Sequence, residues 1–463
     1  MENINLEKNN RKKRGWKFWI IFWSVSTLLL FSWAIFWQYQ NKGIAGFLGF
    51  AKPLIKSLPM KEKTQEELFA ALDIYNKITQ SEKEQTFLIL FQNNMEIRPG
   101  GGFIGAFGIM KVQGDKITHI DVHDTGVFDG RIESNVVPPF PMGRLLNIKN
   151  WEMRDSNWYP DFPANAEKIE YFYHLEGGEE ELDGIVAVST ELLPSFLEIT
   201  GPITIDGYPG EYNSENAIMK LEYQVEKGFY EQGIDVGQRK YVMKDLASEI
   251  LRRVADLSWT EKREFLKIIE KHLDEKDVMI YFKDDQLQDK IRSLGWSGEI
   301  KNVESDYLMM VDANLGAYKT DYYIKRSFEY KIDLSGEKPR VDLGILYENT
   351  AQSKDWMTTD YLTYLRVYVP EEAWFLEDNS GLERVFGKEF GKKYIGVVLK
   401  VPVGTQKEVA FSYELPAEMA ENYSLLIQKQ SGTMNTKGLV KIVGKDGNIK
   451  KQEIELDQDK YFE

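Results

Sequence analysis

DGIVAVSTELLPSFLEITGPI, residues 183–203, is the stretch from which the fold can be read. Residues 184–189 form an apolar run without alternation, the texture of a strand covered on both faces. Residues 192–199 follow with helical periodicity, and Thr200-Gly201-Pro202 closes them. A strand running straight into a helix is the repeating unit of a layered α/β domain. Working outward toward the N-terminus, Asp161 and Pro163 mark a helix start and Gly177-Gly178 its stop. Further back, 86–91 reads as a strand, and 103–112 and 117–123 read as strands joined by the turn Gln113-Gly114-Asp115-Lys116. Toward the C-terminus, helical patterns cover 215–227 and 238–257, and Ser258-x-x-Glu261 caps another helix. Strands at 278–282 and 307–312 are expected to close an α/β domain over 64–320, whose first helix opens at the capping pattern Thr64-x-x-Glu67.

Past residue 320 the texture changes. Short alternating runs at 322–332, 340–347, 361–369, 394–401, 407–413, 423–428 and 438–443 are separated by turn signals. This pattern predicts an all-β sandwich over 321–463.

The other end of the chain carries FWIIFWSVSTLLLFSWAIFW, residues 18–37, with no charge inside it. At about 1.5 Å per residue a helix of this length covers roughly 30 Å, the thickness of a bilayer core. Lys8, Arg11, Lys12, Lys13, Arg14 and Lys17 precede it, and tryptophans sit near both ends. The positive-inside rule predicts a single-pass cell-membrane protein with a cytoplasmic basic tail (1–17), a transmembrane helix (18–37), a juxtamembrane linker (38–63) and an extracytoplasmic bulk. A cleaved signal peptide is the rival. Its apolar region is shorter and is followed by small residues, whereas Gln38, Tyr39, Gln40, Asn41 and Lys42 follow here.

Composition excludes several chemistries. The chain of 463 residues has a formal net charge of −15, and its short tail is basic, so the remainder is strongly acidic. Such a domain does not bind nucleic acid through general charge, nor lie flat on anionic lipid. There is no cysteine, which removes disulfides, thiolate zinc sites and thiol nucleophiles. Of four histidines, His119 and His123 flank Asp121 with period two, so on a strand they share a face that could hold a metal and support a metal-dependent hydrolase. A Ser-His-Asp mechanism has to recruit one of the four, and no G-x-S-x-G elbow is present.

Other segments are candidates for an anion site. Arg98-Pro99-Gly100-Gly101-Gly102 places a cation beside glycines that let backbone N–H groups approach a ligand; a tight turn is the bland alternative. Residues 127–160 lack periodicity but are rich in aromatics and arginines, which predicts an ordered lid or pocket wall. Arg154 and Asp155 have no evident structural task, unlike Asp161; a surface ion pair is the bland alternative. Arg239 and Lys240 open a helix, where cations oppose the helix dipole; this hints at an anion, with solvated surface charge as the plainer alternative.

These segments, taken in order, resemble a bacterial family known only as a domain of unknown function, number 4012. QNNMEIRPGGGFIGAFG, RDSNWYPDFP, DGIVAVSTELLPSFLEITGPI, SDYLMMVDANLGAYKTD and TYLRVYVP carry the resemblance over roughly 86–370. A more distant resemblance, through 103–125 and 171–205, is to the LytR-CpsA-Psr envelope phosphotransferases. That likeness implies a single-pass anchor, an external α/β domain, magnesium, and transfer of glycopolymers from a polyprenyl-pyrophosphate carrier to peptidoglycan. The departures are specific. The first motif of that family carries an aspartate where Pro99-Gly100 follows Arg98, and its Arg-Asp-Thr reads His123-Asp124-Thr125 here. Its paired arginines have no counterpart near 220–223.

The reading is a membrane-anchored envelope protein that binds, and on the resemblance transfers, a phosphorylated or polyprenyl-linked glycopolymer, with peptidoglycan as a further partner and Mg2+ as the implied ion. Candidate ligand contacts are Arg98, Gly101, Gly102, Asp124, Arg154, Asp155 and Arg239; His119, Asp121 and His123 are the metal candidates. The alternative is a non-catalytic envelope scaffold or surface-binding protein.

Overall fold

The computed structural model describes residues 62–114, 116–376 and 381–463. The apolar run 18–37, its basic tail and most of the linker lie outside these. Among the described residues no helix is long and apolar enough to cross a membrane. The chain divides into two compact units, 1–84 with 113–116, and 85–112 with 117–463. In the first, helix α1 spans Glu62–Thr79, so Thr64 and Glu67 lie inside it instead of opening it.

The second unit is mixed α/β. Strands β1 (Gln85–Arg98), β2 (Gly101–Gln113) and β3 (Lys116–Asp124) are followed by the short helix α2 (Thr125–Asp129) and by α3 (Phe162–Leu175). Then come β4 (Gly184–Ser189), α4 (Leu192–Thr200), α5 (Tyr241–Asp256), α6 (Trp259–Asp274), β5 (Val278–Phe282) and α7 (Asp285–Leu294). The sheet order is β3-β2-β1-β4-β5. β1 and β4 are parallel, from Phe87 against Gly184 to Gln92 against Ser189, and the crossover between them contains α3. Local chemistry explains the helix starts. Asp161 caps α3 through Ala164 N–H and also accepts Ile300 N–H at 3.0 Å. Ser258 and Glu261 complete the reciprocal capping box of α6.

Strand β6 (Asp306–Asn314) corrects the sequence reading. It does not close the α/β sheet. It lies inside a sandwich sheet, between β9 (Tyr361–Pro370) and β14 (Leu425–Gln428). Both its faces are covered, so it lacks the alternation seen in the strands 324–333 and 340–349 of the other sheet, and its texture resembles β4. The other strands of the sandwich are β7 (Ile324–Asp333), β8 (Arg340–Asn349), β10 (Trp374–Phe375), β11 (Arg384–Glu389), β12 (Lys392–Val401), β13 (Gln406–Glu414), β15 (Lys437–Val443), β16 (Ile449–Glu455) and β17 (Lys460–Phe462). They form two six-stranded sheets, β10-β13-β8-β7-β15-β16 and β11-β12-β9-β6-β14-β17. Phe328, Tyr330 and Ile345 of one sheet pack with Leu365, Val397 and Ile427 of the other.

The α/β sheet and the sandwich share a core. Leu88, Leu90 and Phe107 from the sheet meet Ala313, Leu315 and Tyr364 from the sandwich, with Trp151, Met153 and Trp158 among them. The stretch 127–160 is therefore a packed wall. Trp158 stacks on Tyr364 with the rings 2° from parallel, and the Trp151 indole donates to the Asp155 carbonyl at 2.9 Å.

Candidate functional site

Strand β3 ends at Asp124, and the chain beyond it turns around that side chain. Its Oδ1 accepts Val127 N–H at 3.1 Å, capping α2. Its Oδ2 accepts Arg239 Nε at 2.7 Å. Arg239 closes a turn held by Asp235, whose Oδ1 accepts Gly237 N–H at 2.8 Å. Lys240 comes next and is buried; a Cβ on Gly105 of β2 would lie 3.6 Å from its Nζ. Burial pushes the Lys240 ammonium down and the Arg239 charge pushes the same way, while Asp124 and Glu226 oppose them. Arg154 arrives from the other side. A Cβ on Gly126 would lie 3.3 Å from Asp124 Oδ1 and 3.7 Å from Arg154 Nη1, so glycine keeps the space between the two groups open. Asp124, Arg154, Arg239 and Lys240 thus converge. Arg154 pairs with Glu152 and Asp129, and Arg239 with Asp124, yet their side chains remain 35% and 25% exposed.

The other candidates are used differently. Arg98 is 1% exposed, with every nitrogen engaged: Nε with Asp155 Oδ1 (2.8 Å), Nη1 with the Asn314 carbonyl (2.8 Å), Nη2 with Glu96 Oε1 (2.9 Å). Asp155 therefore does have a structural task. Its partner simply lies 57 positions away. Gly101 sits at φ +121°, where side chains are disfavoured, and a Cβ there would strike the Gln92 carboxamide. A Cβ on Gly102 would strike the Asn93–Asn94 backbone. The glycine run is a tight, filled turn, so Arg98, Gly101, Gly102 and Asp155 are removed from the ligand contacts. Sequence spacing could not show this, because the sandwich supplies Asn314 and the Gln430 side chain that cover the turn.

The resemblance implies magnesium, and the residues do not fit it. Asp124 is spent on Arg239 and a helix cap, and Asp155 on Arg98, so neither carboxylate is an open hard-cation ligand. His119, Asp121 and His123 do share a face, but they line a cavity of about 360 Å³ with Phe107, Phe128 and Tyr173. Asp121 pairs with Lys244 at 2.8 Å, and His123 stacks on Phe107 at 5.1 Å. Among the described residues, the three whose ligating atoms lie within 4.8 Å of one another are His272, Glu275 and Asp277 instead.

Beside Arg154 lies a buried acid pair missed at the sequence level. Asp129 ends α2 and Glu176 follows α3. Burial pushes Asp129 well above the carboxylate range and Glu176 pushes it further, while Arg154, 2.9 Å away, pulls it down without prevailing. Burial raises Glu176 as well. Because these carboxyls are raised relative to about 3.9 (Asp) and about 4.3 (Glu) in the unfolded chain, their contribution is complete below about pH 4 and is lost as pH rises through the folded values. Asp129→Asn is therefore expected to flatten the decline in stability between about pH 5 and 8, read from denaturant midpoints. Curves that stay parallel would refute the protonated pair.

This geometry sits largely in one recognisable segment. Residues 82–225 match the family described as protein of unknown function, DUF4012. The DUF4012 segment holds Asp124, Asp129, Arg154 and Glu176, while Arg239 and Lys240 lie beyond its end. Three solved structures are also similar. Protein gbs0355 from Streptococcus agalactiae is 11% identical, over 48% of this chain and 77% of that one, with a TM-score of 0.29. Lin1025 from Listeria innocua is 11% identical, over 47% and 80%, at 0.27. TagV from B. subtilis is 12% identical, over 47% and 81%, at 0.27. No curated protein matches the chain.

Proposed function

We propose that this chain is a membrane-anchored cell-envelope protein that binds a phosphorylated or polyprenyl-linked glycopolymer on the Arg154, Arg239 and Lys240 cluster. The observation that carries this reading is the meeting of Arg154 with the neighbouring pair Arg239 and Lys240 from a second segment, two of the three solvent-accessible, in a domain of net negative charge. A guanidinium presents paired donors that match phosphate oxygens, and Lys240 adds a poorly solvated point charge behind them. The run 18–37 supports the anchor and the external location of the bulk, and the motif resemblance to LytR-CpsA-Psr proteins supports the envelope setting. Departures from that family's motifs separate binding from transfer. The first-motif carboxylate is absent, Arg98 is sealed, and neither Asp124 nor Asp155 is free for an ion, all of which favour a non-catalytic binder or scaffold. Binding of a short-chain polyprenyl pyrophosphate to the full-length protein and to Arg154→Ala, Arg239→Ala and Lys240→Ala is the test. Unchanged affinity in all three refutes the site.

A further inference from the structure

A second constellation lies away from that cluster, and the anion-binding reading makes no use of it. His272, in the last turn of α6, is 3% exposed. Its Nδ1 is 2.8 Å from Asp277 Oδ2, and its Nε2 is 2.8 Å from Ser195 Oγ. Ser195 is half-buried in α4, and Asp277 stands in the turn between α6 and β5. That turn is firmly placed: Asp277 N–H donates to the His272 carbonyl at 2.8 Å, and Ser189 N–H, at the end of β4, donates to the Asp277 carbonyl at 2.8 Å. The arrangement therefore lies at the carboxyl end of β4, one of the two parallel strands, which is where open α/β sheets place their ligands.

The hydrogen-bond polarity follows from donor chemistry. An ionised carboxylate only accepts, so Nδ1 carries the proton that points at Asp277. In the neutral ring Nε2 is then the acceptor, and Ser195 donates its hydroxyl proton to it. This is the relation of nucleophile, base and orienting acid that activates a serine. We propose that Ser195 is a nucleophile activated by His272 and Asp277, and that it takes the acyl group of a small apolar carboxylic ester. The apolar preference comes from the surroundings: Leu192, Phe196, Ile269, Leu273 and Trp296 form the cluster into which these elements pack.

The chemistry balances with the ester and water alone. Ser195 Oγ bonds to the acyl carbon as its proton passes to His272 Nε2. The ester C–O bond then breaks, and the departing alkoxide takes that proton. Water, deprotonated by the same nitrogen, releases the carboxylic acid and restores Ser195. The backbone N–H groups following Ser195 are spent within α4, so they give the oxyanion little help. Turnover is accordingly slow, and the covalent adduct is the better readout.

The test exposes full-length protein to an alkyl fluorophosphonate and locates the adduct by mass spectrometry. One adduct on Ser195 is expected, absent in Ser195→Ala. Its formation rate should fall by about 100-fold or more in His272→Gln. Ser195→Ala, which removes one hydroxyl, keeps the assay interpretable if His272→Gln does not fold, and a matching unfolding midpoint confirms that its loss of labelling is chemical. Folded wild-type protein that takes no adduct, or an adduct that survives Ser195→Ala, overturns the proposal and leaves the three residues as a hydrogen-bonded pin between α4, α6 and β5. Neither result depends on phosphate binding at Arg154 and Arg239.

Discussion

Asp155→Ala is expected to destabilise the second unit by about 3–5 kcal/mol, the cost typical of stranding one partner of a buried ion pair. Asp155 is 6% exposed and Arg98 1% exposed. Removing the carboxylate leaves a guanidinium in a dry site, with Glu96 alone to balance it. The effect spreads because Arg98 joins a wider polar seam. Asn314, whose carbonyl accepts from Arg98, donates through Nδ2 to Asp321 at 2.8 Å, and Asp321 also accepts Ile97 N–H at 3.1 Å. Asp321 and Asp312 in turn hold Arg326, and Tyr347 and Thr363 donate to Asp312 at 3.0 and 2.9 Å. The mutation thus strikes the contact between α/β sheet and sandwich. Urea unfolding followed by tryptophan fluorescence reads it, and Asp155→Asn, which keeps an acceptor but loses the charge, should fall between wild type and alanine. A midpoint shift equivalent to less than about 1 kcal/mol would mean that water reaches Arg98 and the seam is not sealed.

The largest functional effect is expected at the cation cluster. A hydrogen bond to a charged group contributes about 1.5–3 kcal/mol, so Arg154→Ala or Arg239→Ala should each weaken polyprenyl-pyrophosphate binding roughly 10- to 100-fold. Arg239→Lys separates charge from shape: it keeps the former but loses the paired donors, and should recover only part of the affinity. Arg154→Ala carries a second consequence, because it also removes the cation next to Asp129 and should make the pH dependence of stability steeper. Partly exposed cations are screened by salt, so the wild-type affinity should drop between low and physiological ionic strength. Titrations at two salt concentrations check both the substitutions and the screening. Affinities indifferent to salt and to all three substitutions would place the ligand elsewhere.

Local structure was largely legible because it is written in near neighbours. The run 184–189, the caps at Asp161 and Ser258, and the stops at Gly177-Gly178 and Gly201 coincide with observed element ends. Arg154 was visible as a residue without an evident structural task and Arg239 as a cation opposing a helix dipole, while Asp124 entered through the motif resemblance. What misled was any position whose partner is remote. Arg98 and its glycines have the texture of an anion loop until Asp155, Asn314 and Gln430 arrive from 57, 216 and 332 positions away. Strand β6 was assigned to the wrong sheet because burial on both faces erases the alternation that identifies a sandwich strand. Ser195, His272 and Asp277 carry no spacing signature, since Ser195 and His272 stand 77 residues apart.

The sequence by itself determined where the chain alternates between strand and helix, where it becomes all-β, and that the net charge beyond residue 37 is negative although arginines are scattered through it. Only the tertiary structure decided which of those arginines face solvent and which are walled in. Side-chain periodicity and capping are settled within a turn or two of backbone, whereas the solvation of a charge depends on every segment that folds over it.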